Sequence, residues 1–160
     1  MSNVTRPIPE GFHSLTPHIT VRGAARAIEF YRVAFDAAVR DIRYTDEGKV
    51  MYALLQVGDS QLILNDEFPE LGAFAPQSAH GSGFAIHIYL ENVDPVFERA
   101  VAAGARVKMP LSDAFWGDRY GQLLDPFGHK WSLATRVRNV SREDVRRAQH
   151  ATFGSIAATA

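Results

Sequence analysis

Two short segments, His18-Ile19-Thr20-Val21 and His87-Ile88-Tyr89-Leu90, stand 69 residues apart (87 − 18 = 69). The same offset carries much of the intervening pattern. Ile28-Glu29 falls on Phe97-Glu98, Leu55 on Leu124, Leu62 on Trp131 and Leu64 on Leu133. Identity between the halves is poor, but the order of segments matches without an insertion. Repetition of a strand, a helix and a hairpin in one register makes the chain two copies of one supersecondary unit.

Each copy reads alike. Leu15 to Val21 alternates, with Leu15, Ile19 and Val21 on one face and Thr16, His18 and Thr20 on the other. Phe84 to Leu90 alternates similarly, with Ile86, Ile88 and Leu90 opposed to Ala85, His87 and Tyr89. A helix follows each strand. Ala24, Ile28, Tyr31 and Phe35 keep helical spacing in the first. In the second, Asp94 is the expected N-cap, Pro95 suits the first helical position and Gly104 the stop. Val50 to Val57 and Gln61 to Asn65 flank the hairpin turn Gly58-Asp59-Ser60, and Tyr120 to Leu124 and Lys130 to Thr135 flank Asp125-Pro126-Phe127-Gly128. One further strand per copy fits Ala38 to Tyr44 and Arg106 to Pro110. The expected organisation is an arm (1–10), a β-α-β-β-β module (11–66), a linker (67–83), a second module (84–136), and a C-terminal helix and tail (137–160). Ser141 and Asp144 form a capping box for that helix.

At 160 residues the chain has room for one core of this kind. A net charge of −1, with no dense basic patch in either half, argues against nucleic acid and anionic membranes as partners. The absence of cysteine removes disulfides, zinc ribbons and thiol nucleophiles. No apolar run approaches the roughly 18 residues that span a bilayer, and Met1 to Glu10 lacks a signal-peptide core. A cytoplasmic location is therefore expected. No Walker loop, nucleophile elbow or glycine-rich dinucleotide turn is present, and a methyltransferase role finds no doubly wound pattern to support it.

Paired modules of this kind resemble the vicinal oxygen chelate superfamily, which includes glyoxalase I, extradiol dioxygenases, fosfomycin-resistance enzymes and bleomycin-binding proteins. The resemblance covers roughly Gly11 to Arg136. It rests on Ala27-Ile28-Glu29-Phe30-Tyr31 in the first helix and Asp125-Pro126-Phe127-Gly128-His129 in the last hairpin. Asn65-Asp66-Glu67-Phe68-Pro69-Glu70 and Phe115-Trp116-Gly117-Asp118-Arg119-Tyr120-Gly121 look like the PhnB-like branch. The resemblance implies an α+β fold whose curved sheets enclose a cleft for a small molecule. It also implies a homodimer, with modules paired within or between chains.

Metal-using members take ligands from the first and last strands of each module. The matching positions here are His18, Ile63, His87 and Ser132, where 132 − 63 is again 69. Isoleucine cannot ligate and a serine hydroxyl is a poor ligand, whereas a catalytic metal generally needs three protein donors. No cofactor is therefore expected. A divalent metal on His18 and His87, with Glu67 or the substrate as third ligand, remains the alternative and would make the protein a lyase, isomerase or dioxygenase. The leading expectation is a metal-independent binding protein whose cleft is lined by Thr20, Tyr52, Asn65, Phe68, His87, Tyr89, Trp116 and Arg119. Aromatic rings there offer flat apolar area, and the guanidinium offers a grip on an anion; an internal ion pair is the alternative for Arg119. Asp118 is expected to be structural, Phe30, Tyr31 and Trp131 to be core, and His13, His80, His129 and His150 to be solvated. A structural or regulatory dimer without a ligand is the third reading.

Overall fold

The computed structural model describes residues 5–154. In order these are β1 (His18–Val21), α1 (Ala24–Phe35), β2 (Ala38–Tyr44), β3 (Val50–Val57), β4 (Ser60–Asp66), a 3-10 turn (Pro69–Leu71), β5 (Ala85–Tyr89), α2 (Val93–Ala102), β6 (Arg106–Asp113), β7 (Asp118–Leu124), β8 (Lys130–Arg136) and α3 (Arg142–Phe153). The two modules give two four-stranded mixed sheets of identical order, β1-β4-β3-β2 and β5-β8-β7-β6. In each, the first strand runs parallel to the last and the other pairs are antiparallel. The α+β class and the tandem modules are as expected. The tail expected beyond α3 falls largely at 155–160, outside the described residues.

The repeat is less uniform than a single offset implies. His18 lies opposite Ile63 and His87 opposite Ser132, which preserves 69 on the outer strand pair. Leu55 lies opposite Leu62, however, and Leu123 opposite Trp131, so the counterpart of Leu55 is Leu123 (123 − 55 = 68), not Leu124. A residue is lost between the start of α2 and β6. It returns in the last hairpin, where five residues separate Leu124 from Lys130 and four separate Gln56 from Gln61. The symmetry reappears where the helices begin. A helix N-terminus leaves backbone N–H groups without intrahelical partners. Asp66 Oδ1 accepts from Gly23 N (3.1 Å) and Ala24 N (2.8 Å), and Thr135 Oγ1 accepts from Val93 N (2.9 Å). These caps are themselves 69 apart (135 − 66), so each module's last strand caps its own helix. Asp94 is thus not the N-cap; α2 begins at Val93. Leu15 lies outside β1 and is 90% exposed. At the C-terminus the capping box forms: Ser141 Oγ accepts from Asp144 N at 3.1 Å.

The alternation read from the sequence separates two faces on each sheet. The inner faces carry Ile19, Val21, Ala53, Leu55, Leu62 and Leu64, and Leu123, Trp131 and Leu133, all buried. They form one core with Ile28, Phe30, Tyr31, Phe35, Phe97 and Ala100 from the helices. A Cβ on Gly121 would stand 2.8 Å from the Phe97 ring, so glycine there lets α2 settle on β7. The modules join through this core. Helix α1 packs on α2, and its rings meet the second hairpin, Phe35 to Trp131 at 4.5 Å and Tyr31 to Trp131 at 5.5 Å. Each ring so buried contributes roughly 1.5–3 kcal/mol.

At the centre of that junction sits a buried carboxylate. Asp125 Oδ2 accepts from Tyr31 Oη (2.6 Å) and Trp131 Nε1 (2.9 Å), and Oδ1 accepts from the backbone N–H groups of Phe127 and His129 (2.9 Å each). Burial first, and then the Asp125 charge, hold the Tyr31 phenol well above its ordinary pKa, so it remains a donor. His129 is buried rather than solvated: its Nε2–H donates to the Thr20 carbonyl at 2.9 Å.

Because both helices lie on the inner side, the outer faces of the sheets point away from the shared core. No hydrogen bond, ion pair or aromatic contact among the described residues joins one outer face to the other. The contacts that do cross between modules run through α1, α2 and the second hairpin. The enclosed cleft expected from the paired sheets is therefore not built within one chain. Tyr31→Phe removes the one side-chain bond from α1 to Asp125 and is expected to lower unfolding free energy by about 1.5–3 kcal/mol. Asp125→Ala, which orphans four donors, is expected to cost more than that. Urea titration followed by circular dichroism checks both.

Candidate functional site

Residues paired across strands project to the same side of a sheet, which defines each outer face. On the first sheet Thr20 stands opposite Asn65, Tyr52 opposite Arg43, and Leu54 opposite Ile63, which is opposite His18. Asn65 is buried and its amide is fully used. Its Nδ2 donates to the Asp66 carbonyl (2.7 Å) and to Thr20 Oγ1 (3.3 Å), which turns Oδ1 toward His18 Nε2 at 2.6 Å. A carbonyl oxygen only accepts, so Nε2 carries the hydrogen and His18 presents Nδ1 as its free acceptor. Tyr52 lies under the Arg43 guanidinium, 4.7 Å from ring centroid to Cζ.

The second outer face is richer. His87 lies opposite Ser132, Tyr89 and Tyr120 both lie opposite Ala134, and Gln122 lies opposite Ser132 and Met109. His87 Nδ1 is 2.6 Å from Ser132 Oγ. Its ring meets Tyr89 edge-on at 4.6 Å and lies nearly parallel to Tyr120 at 6.1 Å. Trp116 meets Tyr120 edge-on at 5.3 Å. Four aromatic rings thus form one wall, with Gln122 Nε2 donating to Tyr120 Oη at 2.8 Å.

Behind the wall is Asp118, 1% exposed. Its Oδ2 accepts from Tyr89 Oη (2.9 Å) and Trp116 Nε1 (3.0 Å). Arg136 Nε approaches Oδ1 at 2.6 Å without the angle of a hydrogen bond, so that oxygen is held by charge alone. The Tyr89 hydroxyl and the Asp118 charge together raise the Arg136 pKa. The loop carrying Trp116 is fastened by backbone bonds from Val137 N (3.0 Å) and Arg138 N (3.1 Å) to the Gly117 carbonyl. Gly117 has φ of 102°, and a Cβ there would strike the Arg138 carbonyl at 2.3 Å, so the turn admits only glycine.

Three residues expected in the site are placed elsewhere. Arg119 alternates to the inner side of β7, opposite Thr135, and its fork is taken by Asp94 (2.7 Å at both nitrogens), with Asp113 at 3.4 Å. It ties β7 to α2, and the bond holds the Asp94 carboxyl below its ordinary pKa. Phe68 is buried, with Lys49 Nζ over its ring at 4.1 Å. Glu67, the expected third metal donor, accepts from Arg22 Nε and Ala75 N at 2.8 Å each and fastens the linker. Hydrogen bonds through Ser78 and Arg22 hold its pKa at about 2. The remaining candidates stay on the two outer faces: Thr20, Tyr52 and Asn65 on one, His87, Tyr89 and Trp116 on the other. Asp118, expected to be structural, sits behind this group and bonds Tyr89 and Trp116. Extending the β7 alternation back from Tyr120 by two residues would have placed it there.

The donors at the four family positions are two imidazoles, an alkyl group and a hydroxyl. With Glu67 committed and Asp66 bonded to three backbone N–H groups, no carboxylate completes the set. No group of three or more His, Cys, Asp or Glu side chains placed to hold an ion occurs among the described residues. This donor set does not fit a catalytic divalent metal. An open depression of about 650 Å³ between the linker and the second hairpin is lined by Pro76, His80, Ser82, Leu124 and Lys130, and by none of the candidate residues. No helix among the described residues is long and apolar enough to cross a membrane.

A tandem β-α-β-β-β chain with its polar and aromatic side chains on the outer sheet faces defines a class, and comparison with known proteins supplies its family. The sequence profile of the Glyoxalase/Bleomycin resistance protein/Dioxygenase superfamily matches residues 11–133. The chain belongs to this superfamily. It is 41% identical over 138 residues to uncharacterized proteins of Mycobacterium tuberculosis and Mycobacterium bovis, covering 84% of this chain and 81% and 91% of theirs. Among solved structures, it is similar in fold to a PhnB protein from Bacillus cereus described as a putative 3-demethylubiquinone-9 3-methyltransferase. That match has 23% identity and a TM-score of 0.60, and covers 77% of this chain and 99% of the other. A glyoxalase-related enzyme from Fulvimarina pelagi matches at 19% identity with a TM-score of 0.62, covering 77% and 87%. A fosfomycin resistance protein from Listeria monocytogenes matches at 14% with a TM-score of 0.61, covering 82% and 96%. At these identities the likeness is one of fold.

The Glu67 latch has a pH signature. Its folded pKa of about 2 lies below its ordinary 4.5, so its contribution is present above pH 4.5 and lost as pH falls toward 2. Glu67→Gln is therefore expected to be less stable than the parent at pH 6, with the gap narrowing at pH 3. Paired urea titrations at the two pH values check this.

Proposed function

We propose that this protein binds a small organic molecule, without a divalent metal, against the aromatic wall of its second sheet. The observation that carries this reading is the wall itself. A buried carboxylate and a fastened loop hold Tyr89 and Trp116, Ser132 holds His87 and Gln122 holds Tyr120, yet Tyr89 remains 57% exposed. Rings held rigid and left uncovered have lost side-chain entropy in advance, which favours a ligand. The bonds of His18 to Asn65 and of His87 to Ser132 support a polar role for both imidazoles within the lining.

Small-molecule sites are concave and cover most of their ligand, whereas each outer face of one chain is open. The reading is therefore completed by a homodimer, in which the first sheet of one copy lies over the second sheet of the other. The uncovered His18, Leu54 and Ile63 face and the family resemblance support that pairing.

Sedimentation equilibrium is expected to give a dimer at micromolar concentration; a monomer would sink the closed cleft. In a fragment screen by NMR, ligands are expected to shift Tyr89, Trp116 and Tyr120. Trp116→Ala should weaken binding by tenfold or more, about 1.4 kcal/mol. Elemental analysis of untagged protein offered iron, manganese, nickel and zinc tests the metal-free part. One ion per chain, lost with His18→Ala or His87→Ala, would overturn it in favour of a metal-dependent lyase, isomerase or dioxygenase.

A further inference from the structure

The hydrogen-bond polarity of the wall specifies its ligand more closely. A carboxylate only accepts, and an indole N–H or a guanidinium only donates. Asp118 Oδ2 lies 2.9 Å from Tyr89 Oη and 3.0 Å from Trp116 Nε1. Tyr89 must therefore give its single hydroxyl hydrogen to Asp118, and Trp116 its N–H to the same oxygen. Arg136, 2.6 Å from the other carboxylate oxygen, is a donor only and cannot receive that hydrogen either. With that hydrogen committed, Oη of the 57% exposed Tyr89 has acceptor capacity alone left to it, and the Trp116 N–H is spent. The His87 ring stands edge-on to Tyr89, with centroids 4.6 Å apart.

Resting on the binding reading above, we infer that Tyr89 is a specificity-determining acceptor: the face selects a planar aromatic molecule carrying an N–H or O–H group, received by Tyr89 Oη. Asp118 is a positioning residue. It touches no ligand, and it fixes which way the Tyr89 hydrogen points.

Indole and benzofuran test this, because they share a shape and differ in a ring N–H against a ring oxygen. Binding of each to the full chain is followed by two-dimensional NMR at the amides of Tyr89, Trp116 and Tyr120. The parent is expected to prefer indole by about three- to tenfold, the worth of one hydrogen bond. Tyr89→Phe, which lacks the acceptor, should bring the ratio of the two affinities close to one. Asp118→Leu should do the same by a different route, since the freed hydroxyl can then turn its hydrogen outward. A merely structural Asp118 would weaken both probes and leave their ratio alone. If Asp118→Leu fails to fold, Tyr89→Phe, which leaves every backbone bond in place, decides the matter. Shifts at this face with the same ratio in the parent and in Tyr89→Phe would overturn the inference and leave the binding face standing. No shift there with either probe would overturn both.

Discussion

The buried Asp125 carboxylate is the constraint on which the arrangement of the two modules depends. It gathers a phenol from the first module, an indole from its own last strand and two backbone N–H groups from its own turn. An ionised group removed from water is tolerated only when its oxygens are well supplied with donors. Three of those donors are local to the second hairpin and the fourth, Tyr31, comes from the first module, so this packing of the modules completes the set that others leave one donor short. The surrounding rings of Phe30, Phe35, Phe127 and Trp131 provide the apolar driving force, which lacks direction. The carboxylate provides the direction.

Joining the modules by their inner sides leaves the outer faces free. Those faces carry aromatic and polar side chains that have no place in the core, Tyr52 and Asn65 on one and His87, Tyr89 and Tyr120 on the other. Asp118 repeats on the outside what Asp125 does within. Each accepts from one tyrosine O–H and one tryptophan N–H, Tyr31 and Trp131 in the core, Tyr89 and Trp116 on the face. The difference lies in what completes them. Asp125 is closed off by the N–H groups of its turn, whereas Asp118 relies on the half-exposed Arg136 at the rim. The first therefore welds, and the second orients groups that still meet solvent.

Much of this was legible in the residues. The alternation at His18-Ile19-Thr20-Val21 and its echo at His87 identified the unit, its sheet faces and the two histidines, because side-chain direction in a strand has a period of two. The sides taken by Arg119 and Asp118 share one cause. Starting β7 at Tyr120 left both residues in a loop, where parity has no meaning, while the strand begins at Asp118 and sends them to opposite sides. Phe68 and Glu67 followed from neither period nor composition. Their places are set by Lys49 and Arg22, which lie outside the linker, and by Ala75 within it, and these reach them only after the linker folds back.

The amino-acid sequence by itself determined the module, its repetition, the inward apolar stripe of each strand and helix, and the residue types at the four family positions, His18, Ile63, His87 and Ser132. These are local or compositional properties, carried by spacing and side-chain chemistry. Tertiary structure decided how the modules meet, and hence that their outer faces turn away from each other instead of enclosing a cleft in one chain. It also decided which carboxylates are spent on structure and which way the Tyr89 hydroxyl points. Those outcomes depend on partners up to 109 residues apart, as in the bond from His129 to Thr20, and on the need of each buried polar group to find its partner.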